Sequence, residues 1–267
     1  MKREMKEKKE RGAAPRKMAP LPDDVLLGRN AVMEALRAGR GINKIMIAQG
    51  SREAQVAPLV ELARTRGVPV EFVTRAAIER SAGGARHQGV LAQVAPIAYQ
   101  ELDDILRAAE AKGHAPLLVL LDELEDPHNL GALLRTADAT GVDGILIPRR
   151  RSVPLNATVA KTSAGAIEYV PVARIGNVTQ TLKELKGKGF WVAGADMGGT
   201  PYDEADLTGA LVLVVGSEGH GMTRLVREQC DFIVSLPMVG RINSLNASVA
   251  GSLLMYEALR QRQRAQG

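Results

Sequence analysis

LLVLLDELEDPHNLGALLRTADATGVDGILIP, residues 117–148, decides the fold. It opens on five aliphatic residues, LLVLL (117–121), with no polar position among them. A half-solvated strand alternates apolar with polar residues, so this run predicts a strand covered on both faces. A helix over 130–140 follows. Pro127 and Asn129 mark its start, Gly141 marks its stop, and Leu130, Leu133, Leu134 and Ala137 form its buried stripe. Gly131 lies in the first turn, where glycine costs stability but lets something approach the backbone. GILIP (144–148) is then a second covered strand. Strands alternating with helices in this way predict a parallel α/β sheet.

The alternation continues downstream. Helices are expected near 155–164 and 178–187, then a strand at FWVAGAD (190–196). LVLVVG (211–216) precedes a helix near 222–229, and FIVSLP (232–237) precedes a long last helix, 246–264. Upstream, GRNAVMEALRAG (28–39) reads as a helix ended by Gly39, and KIMIA (44–48), VEFV (70–73) and GVLAQVA (89–95) read as strands. Helices at 53–66 and 75–81 lie between them. The expected fold class is α/β, with a small α/β unit over 23–97, a charged linker helix over 98–116 and a parallel-sheet domain over 117–267.

Composition narrows the setting. The first 17 residues hold eight Lys/Arg and three Glu, a net of +5, equal to the net charge of the whole 267-residue chain. The other 250 residues therefore balance at 27 against 27. A basic stretch without apolar periodicity predicts a disordered tail over residues 1–22, either an arm for nucleic acid or a solubilising leader. It lacks the apolar segment of a signal peptide. No run of about 18 apolar residues occurs, so no membrane is expected as a partner. The one cysteine, Cys230, excludes an intrachain disulfide, favours a cytoplasmic setting and reads as a bystander thiol. N-x-S/T patterns at Asn156, Asn177 and Asn246 are then chance matches rather than glycan acceptors. The four histidines show no ligand spacing, so no metal is expected. A G-x-S-x-G elbow is missing too. Aromatic residues at 3% do not support RNA binding by stacking platforms.

Ligands of open parallel sheets bind outside the carboxyl ends of the strands. Three such ends carry unusual residues. The first, DELEDPHNLGALLRTADATG (122–141), places Arg135 on a helix, where an ion pair with Asp138 is its plain reading. The second, VVGSEGHGMTRL (214–225), has Gly216, Gly219 and Gly221 directly after a buried strand, without P-loop or G-x-G-x-x-G spacing. Its Glu218 could simply answer the dipole of the next helix. The third, SLPMVGRINSLNASVAG (235–251), offers Ser244 and Asn246 as caps for the last helix, with Ser248 in its first turn. At another strand end PRRRS (148–152) groups Arg149, Arg150 and Arg151, a cluster suited to phosphate contacts or to a solvated loop.

In this order, NLGALLRTADATG, VVGSEGHGM and LPMVGRINSLNASVA resemble the three motifs of the SpoU/TrmH family of RNA ribose 2′-O-methyltransferases. KTSAGAIEYVPV (161–172) is a further match, and GRNAVMEALRAG and RHQGV (86–90) are similar to the family's small substrate-binding domain. Within the family the likeness is to the RlmB-like enzymes, which methylate a guanosine ribose in 23S ribosomal RNA. The resemblance implies a SPOUT methyltransferase domain with a trefoil knot, S-adenosylmethionine as methyl donor, and a homodimer with each site near the subunit interface. It places the family's catalytic group on Arg135, Asn129, Glu218, Ser244 and Asn246. Cofactor contacts fall on Gly216, Gly221, Leu236, Met238 and Leu245, and RNA contacts on Arg29, Asn30, Arg86 and His87. It further implies that Asn129, Glu218 and Asn246 hold Arg135 and the ribose. Three alternatives stay open: the same methylation on tRNA, a non-catalytic RNA-binding assembly factor, and a small-molecule enzyme using the glycine-rich loop for a nucleotide.

Overall fold

A computed structural model describes residues 22–241 and 244–266. The expected tail lies outside them, except for its last residue. The first sheet contains β1 (Val25–Leu27), β2 (Ile42–Ala48), β3 (Val70–Val73) and β4 (Val90–Val94), in the order β1-β4-β2-β3. β4 runs antiparallel to β1 and β2, while β2 and β3 are parallel. Helices α1 (Arg29–Ala38), α2 (Glu53–Thr65) and α3 (Arg75–Ser81) complete this unit. Gly39 ends α1 in the left-handed conformation expected of it.

Helix α4 (Leu102–Ala111) leads into a second sheet. Its strands are β5 (Leu117–Leu121), β6 (Gly144–Pro148), β7 (Val172–Ile175), β8 (Trp191–Pro201), β9 (Leu211–Val215) and β10 (Phe232–Ser235). The order is β10-β8-β9-β5-β6-β7, and every pairing is parallel. Every residue of β5, β6 and β9 is buried. Their side chains divide by parity. Leu117, Val119 and Leu121 join one core with Leu130, Leu133 and Leu134 of α5 (Pro127–Thr140) and Leu254 and Met255 of α9 (Ala247–Gln266). Leu118 and Leu120 join the other with Ile105 of α4, Leu182 and Leu185 of α7 (Val178–Gly187) and Val226 of α8 (Arg224–Arg227). Alternate side chains of a strand point to opposite faces, so one aliphatic run serves two helical layers. The segment expected as a linker helix is thus part of the second core through Ile105 and Leu106.

The α5 face continues without a break into the first unit. Between them lie α6 (Ala157–Thr162) and a short turn of 3₁₀ helix at Ala166–Glu168. The same apolar cluster holds Val159, Ile167 and Val170 beside Leu26, Val32 and Leu36. An almost fully buried ion pair joins Arg40 to Glu168 at 2.9 Å. Burial pushes the Glu168 carboxyl up, and Arg40 pulls the other way. Arg40 Nε also donates to the Ala95 carbonyl at 2.8 Å.

Three elements differ from the sequence reading. β1 and β7 are additional strands, and β8 extends to Pro201. β1 has only three residues. β7 is an edge strand interrupted by exposed Arg174, which lies 5.0 Å from the centre of the Tyr99 ring. The added part of β8 is MGGTP, poor in strand formers. It pairs with β10 after a register shift, and Gly199 there has room for no Cβ, which would lie 2.3 Å from the Ile233 carbonyl oxygen.

The group approaching Gly131 is Thr162 of α6. A Cβ at Gly131 would stand 1.9 Å from Thr162 Oγ1 and 2.9 Å from the Ser163 nitrogen. Gly131→Ala raises helix propensity by about 1 kcal/mol. It also forces α6 away from α5, an overpacking cost of about 1–3 kcal/mol. Urea denaturation should therefore show no stabilisation or a net loss; a gain near 1 kcal/mol would refute the contact.

Candidate active site at the carboxyl edge of the parallel sheet

Chain order reverses between β5 and β9. From β5 the sheet grows through β6 to β7, and the chain then returns to fill β8, β9 and β10 on the other side. A crevice opens where neighbouring strands send their connections apart. Both strands end there in polar residues, and α9 starts beside them.

The Asp126 side chain caps α5 by accepting from the His128 N–H at 2.8 Å, with Pro127 in the first turn. That fixes Asn129 in the same turn, 5% exposed. Asn129 Nδ2 donates to Glu218 Oε1 at 2.7 Å. Asn246 Nδ2 donates to Asn129 Oδ1 at 3.0 Å and also to Glu218 Oε1. Asn246 Oδ1 in turn accepts from the Ser248 N–H at 2.9 Å, the Ser248 hydroxyl at 2.6 Å and the Val249 N–H at 3.2 Å. Asn246 is therefore the N-cap of α9 and a member of a closed polar network at once. Ser244 is exposed and does not cap. Glu218 stands ahead of Thr223, the N-cap of α8, and its bonds go to the two asparagines rather than to that helix. Its Oε2 has no partner among the described residues.

Beside this network lies a cavity of about 390 Å³. That is within the range of small-molecule pockets, about 300–1,000 Å³. Gly216, Gly221, Leu236, Met238 and Leu245, the five expected cofactor contacts, all line it, as do Glu218 and Ser244. Its wall is shaped by a tight loop in which Ser217 and Gly221 exchange two backbone hydrogen bonds of 3.0 Å. A Cβ on Gly216 would fall 2.1 Å from the Gly221 carbonyl carbon, so this position admits only glycine. Asp122, 3% exposed, holds the far end of the loop by accepting from the Thr223 N–H at 2.7 Å. Ala195, Asp196 and Met197 of β8 form a wall that the sequence reading missed. The glycine-rich run after FWVAGAD was the available signal. Asp196 is ion-paired with Arg227.

Arg135 is not part of the network. It lies on α5 beyond Asn129, is exposed, and forms no ion pair, with Asp138 or any other carboxylate, among the described residues. The three polar residues expected to hold it bind one another instead. Burial pushes the Cys230 thiol up to about 11, which suits a bystander. In the first unit Arg29 and Asn30 open α1, and the Arg29 N–H donates to Gln88 Oε1 at 3.4 Å, which brings RHQGV alongside. Arg86 is exposed. His87 is buried, and its Nδ1 accepts from the Gly89 N–H at 3.0 Å, so one ring nitrogen is taken up by the turn. Arg149, Arg150 and Arg151 are exposed after β6, with Arg151 paired to Glu123 at 2.8 Å. The described residues contain no group of three or more potential metal ligands, and no helix among them is long and apolar enough to cross a membrane.

The fold and site define an α/β enzyme whose ligand cavity lies at the carboxyl edge of a parallel sheet, behind a small separate sheet. Residues 116–256 match the model of the SpoU rRNA methylase family, and residues 25–100 match that of the RNA 2′-O ribose methyltransferase substrate-binding domain. The chain belongs to the SpoU family and is an RNA methyltransferase. It is 50% identical over 240 residues to YacO of Bacillus subtilis, assigned to the TrmH family of tRNA/rRNA methyltransferases, covering 90% of this chain and 96% of that one. The AdoMet-bound rRNA methyltransferase of Sinorhizobium meliloti superimposes with a TM-score of 0.73 at 25% identity, over 88% of this chain and 86% of that one. The SpoU methyltransferase AviRb of Streptomyces viridochromogenes shares the fold, with a TM-score of 0.75 at 24% identity over 90% of both chains.

The capping assignment can be tested on stability alone. Asn246→Ala removes a cap and two network bonds, and should cost about 1–2 kcal/mol in urea denaturation. Ser244→Ala should stay within about 0.5 kcal/mol of the parent. Equal effects would reject Asn246 as the cap.

Proposed function

We propose that this chain transfers a methyl group from S-adenosylmethionine to the ribose 2′-OH of a nucleotide in 23S ribosomal RNA, a guanosine by its likeness to the RlmB-like enzymes. The observation that carries the reading is the Asn129–Glu218–Asn246 network set against a glycine-walled cavity. Gly216 and Gly221 suit a cofactor held largely by backbone groups, and Leu236, Met238 and Leu245 supply its apolar walls. Bound there, S-adenosylmethionine supplies a methyl activated by its sulfonium. The chain must then align the hydroxyl with that methyl and take up its proton. Glu218 Oε2 is available to accept from a ribose hydroxyl. Asn129 and Asn246 fix the carboxylate and leave it little freedom to turn. A guanidinium holds its proton too tightly for Arg135 to serve as a free base. Its role is to anchor a phosphate next to the reacting ribose and to stabilise charge there. Being exposed and unpaired, it is available to a polyanion.

Further parts of the reading follow from the same surfaces. Val249, Leu253 and Tyr256 are 46–52% exposed and fall on one stripe leading away from the site along α9. We assign this stripe to a homodimer contact, which would bring each site close to the subunit interface. Leu236, Met238, Ser244 and Leu245, between β10 at the sheet edge and α9, line the cavity, and this connection is where the trefoil knot would be tied. The unit over 23–97, with Arg29, Asn30 and Arg86, is read as the RNA-binding part, with Arg149, Arg150 and Arg151 on further phosphates. An RNA substrate and a single free thiol fit a cytoplasmic enzyme.

Mapping ribose methylation across total RNA from cells with and without the gene tests the proposal. One 2′-O-methyl mark lost from 23S ribosomal RNA supports it. A mark lost from tRNA instead selects the tRNA reading, and failure to bind S-adenosylmethionine by calorimetry selects the assembly-factor reading. Arg135→Ala should lower methyl transfer by about 10²–10³-fold with cofactor affinity unchanged, because Arg135 does not line the cavity. Undiminished turnover removes Arg135 from the chemistry.

A further inference from the structure

Lys161, the first residue of KTSAGAIEYVPV, belongs to α6 and has no part in the network described above. α6 is the element on which the two units meet. On one side it packs on β1, and on the other Thr162 Oγ1 donates to the Pro127 carbonyl at 3.2 Å, in the turn of α5 that carries Asn129. Lys161 is half-buried there, and burial first, then the positive charge of Arg86, disfavour its own charge. Neither cation forms an ion pair among the described residues, nor does Arg29. The neighbouring carboxylate, Glu79, is instead paired with Arg75 at 3.4 Å.

Two side-chain N–H donors of the first unit lie by this seam, on residues joined where Gln88, next to His87, accepts the Arg29 backbone N–H at 3.4 Å. Arg29 Nε is buried and has no hydrogen-bond partner among the described residues. A buried N–H left in this state is costly, so its retention calls for a ligand. His87 accepts through Nδ1 from the Gly89 N–H, which puts the ring proton on Nε2. Burial, and after it Arg75 and Lys161, disfavour the charged form of that ring, while Glu79 pulls the other way. The seam thus collects cations and N–H donors from both units and lacks the acceptor that would satisfy them.

We propose that Lys161, Arg86 and Arg29 form a phosphate seat at the junction of the two units, which holds the RNA backbone in register with Asn129 and Glu218. The occupant is a phosphodiester of the substrate, so the inference rests on the reading that this chain acts on RNA. Lys161 acts as a positioning residue: it touches the backbone of the substrate and not the reacting ribose.

The test uses the full-length protein and a fluorescein-labelled hairpin transcribed from 23S ribosomal RNA, with affinity measured across a series of salt concentrations. Lys161→Met should weaken binding several-fold and reduce the slope of log K against log salt by about 0.7–0.9, the release expected per phosphate contact. Lys161→Arg should restore most of both. S-adenosylmethionine affinity and the melting temperature should not move, and Lys183→Met, an exposed lysine on α7 across the sheet, should match the parent. Parent and Lys161→Met binding the hairpin with the same affinity and slope overturns the seat while leaving the RNA reading in place. A parent that does not bind the hairpin at all overturns the seat on this substrate together with the 23S ribosomal RNA reading.

Discussion

Because Leu117–Leu121 and Leu211–Val215 have no polar face, the central strands must be covered twice. The rest of the second unit follows from that requirement. Parallel neighbours need crossovers, the crossovers supply the helices, and the helices divide into one layer with α5 and α9 and another with α4, α7 and α8. With both faces closed, polar side chains have one place to gather, the carboxyl edge of the sheet. Asn129, Glu218 and Asn246 meet there because each follows or faces a buried strand whose position is fixed by its core.

The polar network does structural and chemical work with the same atoms. Asn246 caps α9 through its oxygen and binds Asn129 and Glu218 through its nitrogen. Glu218 is thereby tied to the start of two helices from distant parts of the sequence. A carboxylate held in this way is preorganised, with one oxygen committed and the other available. The glycines of the adjacent loop serve a different end. Gly216 is required because two stretches of backbone pass too closely for a side chain, which leaves main-chain groups as the lining of the cavity.

Much of this was legible in the sequence. The covered strands announced themselves by aliphatic runs, and α5 by Pro127 and Gly141. Motif likeness marked the network residues and all five cavity glycines and apolar residues expected there. What escaped has identifiable causes. β1 and β7 are too short or too polar at the edge to show a period. The β8 extension is held by pairing with β10 rather than by its own residues. Gly131 gave a correct signal of close approach, but periodicity cannot say which element approaches. The role of Asn246 as cap in place of Ser244 depends on where the helix starts, which shifts by a residue or two in any sequence reading. Arg135 carried the family's motif, yet its isolation from the network could be seen only in three dimensions.

The three N-x-S/T matches share one fate in the fold. Asn156, Asn177 and Asn246 are the N-caps of α6, α7 and α9, each accepting backbone N–H groups through its side-chain oxygen. Helix N-caps favour Asn, and in this chain each of these three caps has Ser or Thr two residues on, which completes the oligosaccharyl acceptor pattern. A chain routed through a eukaryotic secretory pathway would meet that machinery before it folds. A sugar on Asn246 would occupy the nitrogen that binds Glu218 and wedge open the start of α9. Production of this enzyme is thereby tied to hosts or compartments that do not glycosylate asparagine, a restriction set by helix capping and not by the reaction itself.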